Sequence, residues 1–240
     1  MSESNSSGFA AEGTNGPSET AEQTTWGVGP WQGEWPADAG TPDEPNPDSL
    51  LDPELLLNGD TRNVLDQYRY WKMEAIIASL DQRRHKYHVA IENWQHDLNI
   101  GSIVRTANAF LAAEVHIIGN RRWNRRGAMV TDRYQHVRHH PTVEDFVEWS
   151  KTAAEDGGQL PIIAIDNVPG CQKIEEYALP ENCVLLFGQE GPGLSEAAIG
   201  ASEVVLEITQ FGSTRSINAS AAAAITMHQW VMQHVFGQKR

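Results

Sequence analysis

Short apolar runs recur along the last two thirds of the chain. HKYHVAIEN (85–93), VHIIG (115–119), LPIIAID (160–166), CVLLFG (183–188) and EVVLEI (203–208) have the length and β-branched content of buried strands. Helical spacing fills the gaps between them. It covers Gly101 to Ala112, then a stretch from Thr142, a good N-cap, to about Ala154. Ser216 to Phe236 forms a last, long helix with an Ala-rich start, Ser216 as its N-cap and Ile225, Trp230, Val231 and Val235 on later turns. Strand and helix alternating in this rhythm predict an α/β domain over 85–240, with a mostly parallel sheet and helices on both faces.

Upstream the pattern changes. Val64, Leu65, Tyr68, Trp71, Ile76 and Leu80 fall on a roughly helical period, so 51–84 reads as a helical extension whose helix, over 61–80, packs on the main domain. Residues 1–50 are rich in Ser, Thr, Gly, Pro, Asp and Glu and show no period. Such a composition buries too little apolar surface to offset ordering entropy, so this tail is expected to be disordered. Trp26, Trp31 and Trp35 within it lack a helical or strand period and read as a sticky stretch rather than a docking motif.

The formal net charge of −14 at first argues against a polyanionic partner. Its distribution reverses that. Twelve acids and no Lys or Arg lie in residues 1–60, which leaves 20 acids against 18 bases in 61–240. The folded part is near neutral and the acidity belongs to the tail. Cys171 and Cys183 read as reduced thiols, with no CxxC pair for a zinc ribbon. No secretory leader and no membrane-length apolar run is present, so a soluble, cytoplasmic protein is expected.

Three polar segments sit beside these apolar runs. In Asn99-Ile100-Gly101-Ser102-Ile103-Val104-Arg105-Thr106, Ile103 and Val104 read as core, while Asn99 falls in the strand-to-helix loop and Arg105 projects from the first turns. An ion pair between Arg105 and Glu190 is one structural reading. Gly188-Gln189-Glu190-Gly191-Pro192-Gly193 follows a strand. Its GxxGxG spacing is neither the dinucleotide GxGxxG nor a P-loop, and Glu190 is not needed for a turn. Ser216-Ile217-Asn218 precedes the Ala run, where Asn218 adds a polar group beyond a cap. A fourth segment, 120–140, holds Arg121, Arg122, Arg125, Arg126, Arg133 and Arg138 interleaved with Trp123 and Tyr134. Guanidinium groups bind phosphates and aromatics stack on bases, so RNA binding is expected there. His136, His139 and His140 lack a metal-ligand pattern and read as solvated or RNA-facing; no metal is expected.

Together the three segments resemble the motifs of the SPOUT superfamily of RNA methyltransferases, in its SpoU (TrmH-like) branch, over roughly 85–236. Asn99, Gly101, Arg105 and Thr106 match the first motif, Leu185 to Gly193 the second, and Ser216, Ile217, Asn218 and Ser220 the third, with Ile217 where Leu is usual. The resemblance implies S-adenosylmethionine as methyl donor, ribose 2′-O-methylation of RNA, and a C-terminal trefoil knot. It implies cofactor contacts at Gly188, Gly193, Ile208 and Ile217. It makes Arg105 the residue that acts on the ribose hydroxyl, as a base or as an electrostatic stabiliser, with Asn99, Glu190, Ser216 and Asn218 orienting it. It also implies a homodimer through the C-terminal helix. Relatives acting on large ribosomal RNA carry a separate N-terminal domain, so tRNA is the favoured substrate over rRNA, gripped by the 61–80 helix and the arginine segment. A catalytically inactive RNA-binding scaffold is the first alternative. An NAD-dependent oxidoreductase is the second, and the missing GxGxxG counts against it.

Overall fold

The computed structural model describes residues 27–94, 99–154 and 156–236. The chain divides into two compact units, 1–70 and 71–240. Trp26 and the start of the tail lie outside the described residues.

Residues 27–50, expected to be disordered, carry turns and buried groups. The Trp31 amide donates to Leu56 O at 2.8 Å, and Val28 bridges Asp60 in antiparallel fashion. Indole N–H groups of Trp31 and Trp35 donate to Glu34 O and Gly40 O. The Trp31 ring meets Tyr70 edge-on at 5.6 Å, and Ala39 is fully buried. The tryptophans supply what the average composition lacks: large apolar area with a polar handle that the local backbone satisfies. Helix α1 (Pro53–Asn58) has Asp52 as N-cap and Pro53 at its first position.

Asp60 organises this unit. Its carboxylate accepts from Arg62 Nε at 2.8 Å and Nη2 at 2.7 Å, and from the Tyr70 amide at 2.9 Å. Burial pushes its pKa up, but the Arg62 side chain and the Tyr70 and Arg62 amides outweigh that and leave it lowered. A lowered carboxylate stabilises the fold in full above its unfolded pKa, and that contribution is lost as pH falls through the folded value. Asp60→Asn is therefore expected to lower the urea midpoint of this unit at neutral pH and to flatten its decline through the carboxylate range. Equal slopes in wild type and variant would remove Asp60 from that role.

The expected 61–80 helix is broken. A 3-10 turn spans Asp66–Tyr68, Tyr70 adopts φ 63°, and α2 covers only Met73–Asp81. The Tyr70 amide is committed to Asp60, so the chain leaves helical conformation there. Past α2, within the second unit, Arg84 donates to Tyr134 O at 2.7 Å and Gln135 Oε1 at 2.9 Å, tying the chain after α2 to the end of the arginine segment.

The second unit is built on seven strands. In chain order come β1 (His88–Asn93), α3 (Asn99–Ala109), β2 (Val115–Gly119), β3 (Val137–His140) and α4 (Val143–Ser150). β4 (Ile162–Ile165), β5 (Gln172–Lys173), β6 (Val184–Phe187), α5 (Glu196–Ala201), β7 (Val204–Glu207) and α6 (Ala219–His234) follow. Every pairing is parallel, in the order β3-β2-β1-β6-β4-β7-β5. The β1, β2, β4 and β6 strands are covered on both faces, which is why they read as unbroken apolar runs. Val89, Ile91, Val115, Ile117, Leu185 and Phe187 face α3 and α6, where Trp230 and Met227 are buried. Ala90, Ile118, Ala164 and Leu186 face α4 and α5 through Phe146 and Ala198.

Thr142 caps α4 as expected, accepting from the Asp145 amide. The last helix starts later than the sequence suggested. Ser216 does not cap it; Asn218 does, its side chain accepting from the Ser220 and Ala221 amides. The strands β3 and β5 and the helix α5 had no clear apolar signal. β3 is a polar edge strand, and β5 is two exposed residues long.

Candidate functional site

The carboxyl ends of parallel strands leave a crevice where connecting loops diverge, and ligands of open α/β sheets sit there. At the ends of β4, β6 and β7 lies a cavity of about 570 Å3. Its walls include Gly188, Glu190, Gly193, Ile208, Ser216, Ile217 and Asn218. All four candidate cofactor residues and three of the five candidate catalytic residues thus share one space. The volume suits a ligand of nucleoside size.

The three motif segments are joined by hydrogen bonds above this cavity. Asn99 Nδ2 donates to Glu190 Oε2 at 2.6 Å. Asn218 Nδ2 donates to Asn99 Oδ1 at 2.8 Å and lies 3.3 Å from Glu190 Oε2. Asn218 Oδ1 accepts from the Ser220 amide at 2.9 Å and its hydroxyl at 2.6 Å. One Asn side chain therefore closes α6 and, with its other end, holds Asn99 and Glu190. Asn218→Ala is expected to cost about 1 kcal/mol through the lost cap, read as a lower thermal midpoint. Asn218→Ser, a cap too short to reach Asn99, should recover the midpoint; failure to recover it would mean the Asn99 bond carries the stability.

Asn99 stands in the first turn of α3 rather than in a loop, and it is 9% exposed. Arg105 is not drawn into the cluster. It is exposed on α3, outside the cavity lining, with no hydrogen bond or ion pair among the described residues. The ion pair to Glu190 is absent because that carboxylate is held by the two amides. Gly101 has a packing reason: an added Cβ would lie 2.8 Å from Ala128 N and 2.9 Å from Asn124 O. Close passage of α3 over the 124–128 turn needs a glycine there.

The glycine loop is built by contact with itself. A Cβ on Gly188 would fall 2.3 Å from Gly193 C and 2.5 Å from Leu194 N, so the strand end and loop end touch through backbone alone. Asp166, at the end of β4, braces the loop by accepting from the Leu194 amide at 2.9 Å. Asp166 and Asn167 line the cavity too. They were not singled out in the sequence, although a polar pair directly after an apolar strand was the available signal. Gln189 is buried and its Oε1 accepts from the Trp94 amide at 3.3 Å.

The arginine segment is exposed at Arg121, Arg122, Arg125, Arg126 and Arg133. Arg125 lies 5.5 Å from the Trp123 ring centre and pairs with Asp132 at 3.4 Å. Arg121, Trp123, Arg125, Arg138 and His139 line a second hollow of about 420 Å3. Tyr134, expected to stack on bases, is instead 7% exposed and part of the packing. The histidines are also less solvated than expected. His140 is buried, with Nε2 3.0 Å from His116 Nδ1, and His139 Nε2 lies 2.7 Å from Gly119 O. Only His136 is exposed, against Asp81. Burial, with the Arg138 charge nearby, holds His88 and His140 down to about 4.

A parallel sheet, a glycine loop at a strand end and an Asn–Glu–Asn bridge over a nucleoside-sized cavity define an α/β protein with a ligand site at its strand ends. A family model for the SpoU rRNA Methylase family matches residues 86–228. The chain belongs to that family. It is 29% identical over 160 residues to the tRNA (guanosine(18)-2′-O)-methyltransferase of Escherichia coli K12, covering 64% of this chain and 66% of the relative. It is 25% identical over 148 residues to the 23S rRNA (uridine(2479)-2′-O)-methyltransferase of Streptomyces viridochromogenes, covering 58% and 50%. The crystal structure of the SpoU methyltransferase AviRb from the latter organism, in complex with AdoMet, shares the fold at TM-score 0.58 and 22% identity over 67% of this chain and 62% of that one. The chain thus spans just under two thirds of the length of the E. coli relative and of AviRb.

Proposed function

We propose that this protein transfers a methyl group from S-adenosylmethionine to a ribose 2′-hydroxyl of RNA, with tRNA favoured over rRNA. The observation that carries this reading is the meeting of Asn99, Glu190 and Asn218 over the cavity that Gly188, Gly193, Ile208 and Ile217 line. The glycine loop and the two isoleucines present backbone and apolar surface, a surrounding suited to an adenosyl group. When bound, the donor supplies a methyl group on a cationic sulfur.

The chain's own residues then have two tasks. Asn99, Glu190, Asn218 and Ser216 fix the ribose beside that methyl, since positioning lowers much of the barrier. Arg105 is permanently protonated, a poor base but a good partner for a developing alkoxide. Arg121, Arg122, Arg125, Arg126 and Arg133 hold RNA phosphates, and Trp123 offers a ring for a base. The E. coli relative, named for its action on guanosine 18 of tRNA, supports the preference for tRNA.

Two further features belong to this reading. A C-terminal trefoil knot belongs to this reading, supported by the segments after β6 and after β7 lining the same cavity. Ile225 and Met232, 44% and 49% exposed, are seven residues apart and so share one side of α6, and Phe236 just past the helix is 51% exposed, which supports a homodimer through that helix. No helix of the described residues is long and apolar enough to cross a membrane.

The test is transfer of labelled methyl from S-adenosylmethionine to bulk tRNA and bulk rRNA. Label in tRNA above rRNA is expected. Cofactor and RNA binding without label in either would leave an RNA-binding scaffold.

A further inference from the structure

The amino-terminal edge of the sheet, at the opposite end of the strands from the cavity, holds a side-chain cluster that methyl transfer does not use. His88 opens β1, Glu114 directly precedes β2, and His116 is its second residue. His88 Nδ1 lies 3.0 Å from His116 Nε2, and Glu114 Oε2 lies 3.8 Å from that same nitrogen. The three ligand atoms are all within 4.8 Å of one another. Ligands about 2.0–2.1 Å from a tetrahedral cation stand roughly 3.3 Å apart. The observed separations bracket that value.

The surroundings of His116 fit a ligand. A metal-binding imidazole commonly gives its second ring N–H to an acceptor, which fixes the tautomer. His116 Nδ1 has such a partner in His140 Nε2, 3.0 Å away on β3. That bond sets Nε2, with its lone pair, toward His88 and Glu114. The Trp149 ring lies against His116 at a tilt of 36°, centroids 4.0 Å apart, and Phe146 lies 6.0 Å away, so aromatic packing holds the imidazole in place. Glu114 stays 18% exposed at its side chain, which leaves an entry path.

We propose that His88, His116 and Glu114 bind one borderline-soft dication of the zinc, cobalt or nickel class, with a fourth position open to water. Two imidazole nitrogens argue against magnesium or calcium, which take oxygen ligands. The site joins β1 to β2 and, through His140, to β3, the strand that ends the arginine segment. It is therefore a clamp across three neighbouring strands at one edge of the sheet, independent of the methyl-transfer reading. Arg138 competes for it: its Nε lies 3.1 Å from both Glu114 oxygens. That side chain is 49% exposed and can turn outward to release the carboxylate. Glu114 and His116 are only two residues apart, but His88 comes from another strand, which is why no spacing motif revealed the group.

The experiment is a Co²⁺ titration of the full, untagged chain after chelator treatment, read by visible absorption and by thermal midpoint. Wild type should saturate at one Co²⁺ per chain with intense tetrahedral bands and a raised midpoint. His116 is fully buried, so its replacement tests folding as much as binding; Glu114→Gln and His88→Gln avoid that. Each should weaken Co²⁺ binding by roughly tenfold or more, and Arg138→Gln should tighten it. The absence of saturable bands in wild type would overturn the site and leave a hydrogen-bonded histidine row. Equal affinity in wild type, Glu114→Gln and His88→Gln would overturn it as well.

Discussion

Arg105→Ala is expected to slow methyl transfer by about 10²–10³-fold, the usual cost of removing one group that meets developing charge. Binding of S-adenosylmethionine should not change. The rate loss follows from the proposed role of Arg105, and the unchanged binding from its position. Arg105 is exposed on α3, makes no hydrogen bond or ion pair among the described residues, and does not line the cavity. Its loss therefore leaves the donor site intact, with a stability change within about 0.5 kcal/mol. Arg105→Lys keeps the charge but loses the planar fork, so its rate should fall between the two. An unchanged rate in Arg105→Ala, with the cofactor bound, would remove Arg105 from the chemistry.

Gly188→Ala should act in the opposite way and abolish cofactor binding. The added methyl would lie 2.3 Å from Gly193 C and 2.6 Å from Gly193 O. These are backbone atoms and cannot rotate aside. The loop must move, and overpacking of this kind costs about 1–3 kcal/mol. Calorimetric titration with S-adenosylmethionine should show no saturable heat, while the far-UV spectrum stays that of a folded α/β protein. Wild-type affinity in Gly188→Ala would mean the glycine loop is not the donor site.

The contrast between these two positions shows how far the sequence could be read. Strands β1, β2, β4 and β6 were legible because burial on both faces demands unbroken apolar runs, and β7 because of its β-branched Val204 and Val205 beside the buried Leu206. Edge strand β3 was not, because half of Val137–His140 faces solvent and its polar residues read as part of a charged segment. The break at Tyr70 was hidden in a helical period, since a distant carboxylate, Asp60, captures its amide. The order in residues 27–50 depends on tryptophan rings meeting specific carbonyls and Tyr70, a matter of placement and not of composition.

The site shows the same division. Asn99, Glu190 and Asn218 were each visible as polar groups beside apolar runs, and the fold makes them partners of one another. Ser216 was misread as the cap because Ser is a common cap, whereas the amides it would have satisfied belong to Asn218. Asp166 escaped notice because its role depends on β4 lying next to β6 and β7. The histidine cluster escaped for a related reason: His88, His116 and His140 fall on three neighbouring strands, and only the register aligns them.

Alkaline digestion of tRNA methylated in the purified reaction tests the central claim most directly. A 2′-O-methyl group blocks attack of that hydroxyl on the neighbouring phosphate, so the labelled methyl should appear in alkali-resistant dinucleotides, and Arg105→Ala should deplete that product. Label recovered only in mononucleotides would place the methyl on a base and contradict ribose methylation.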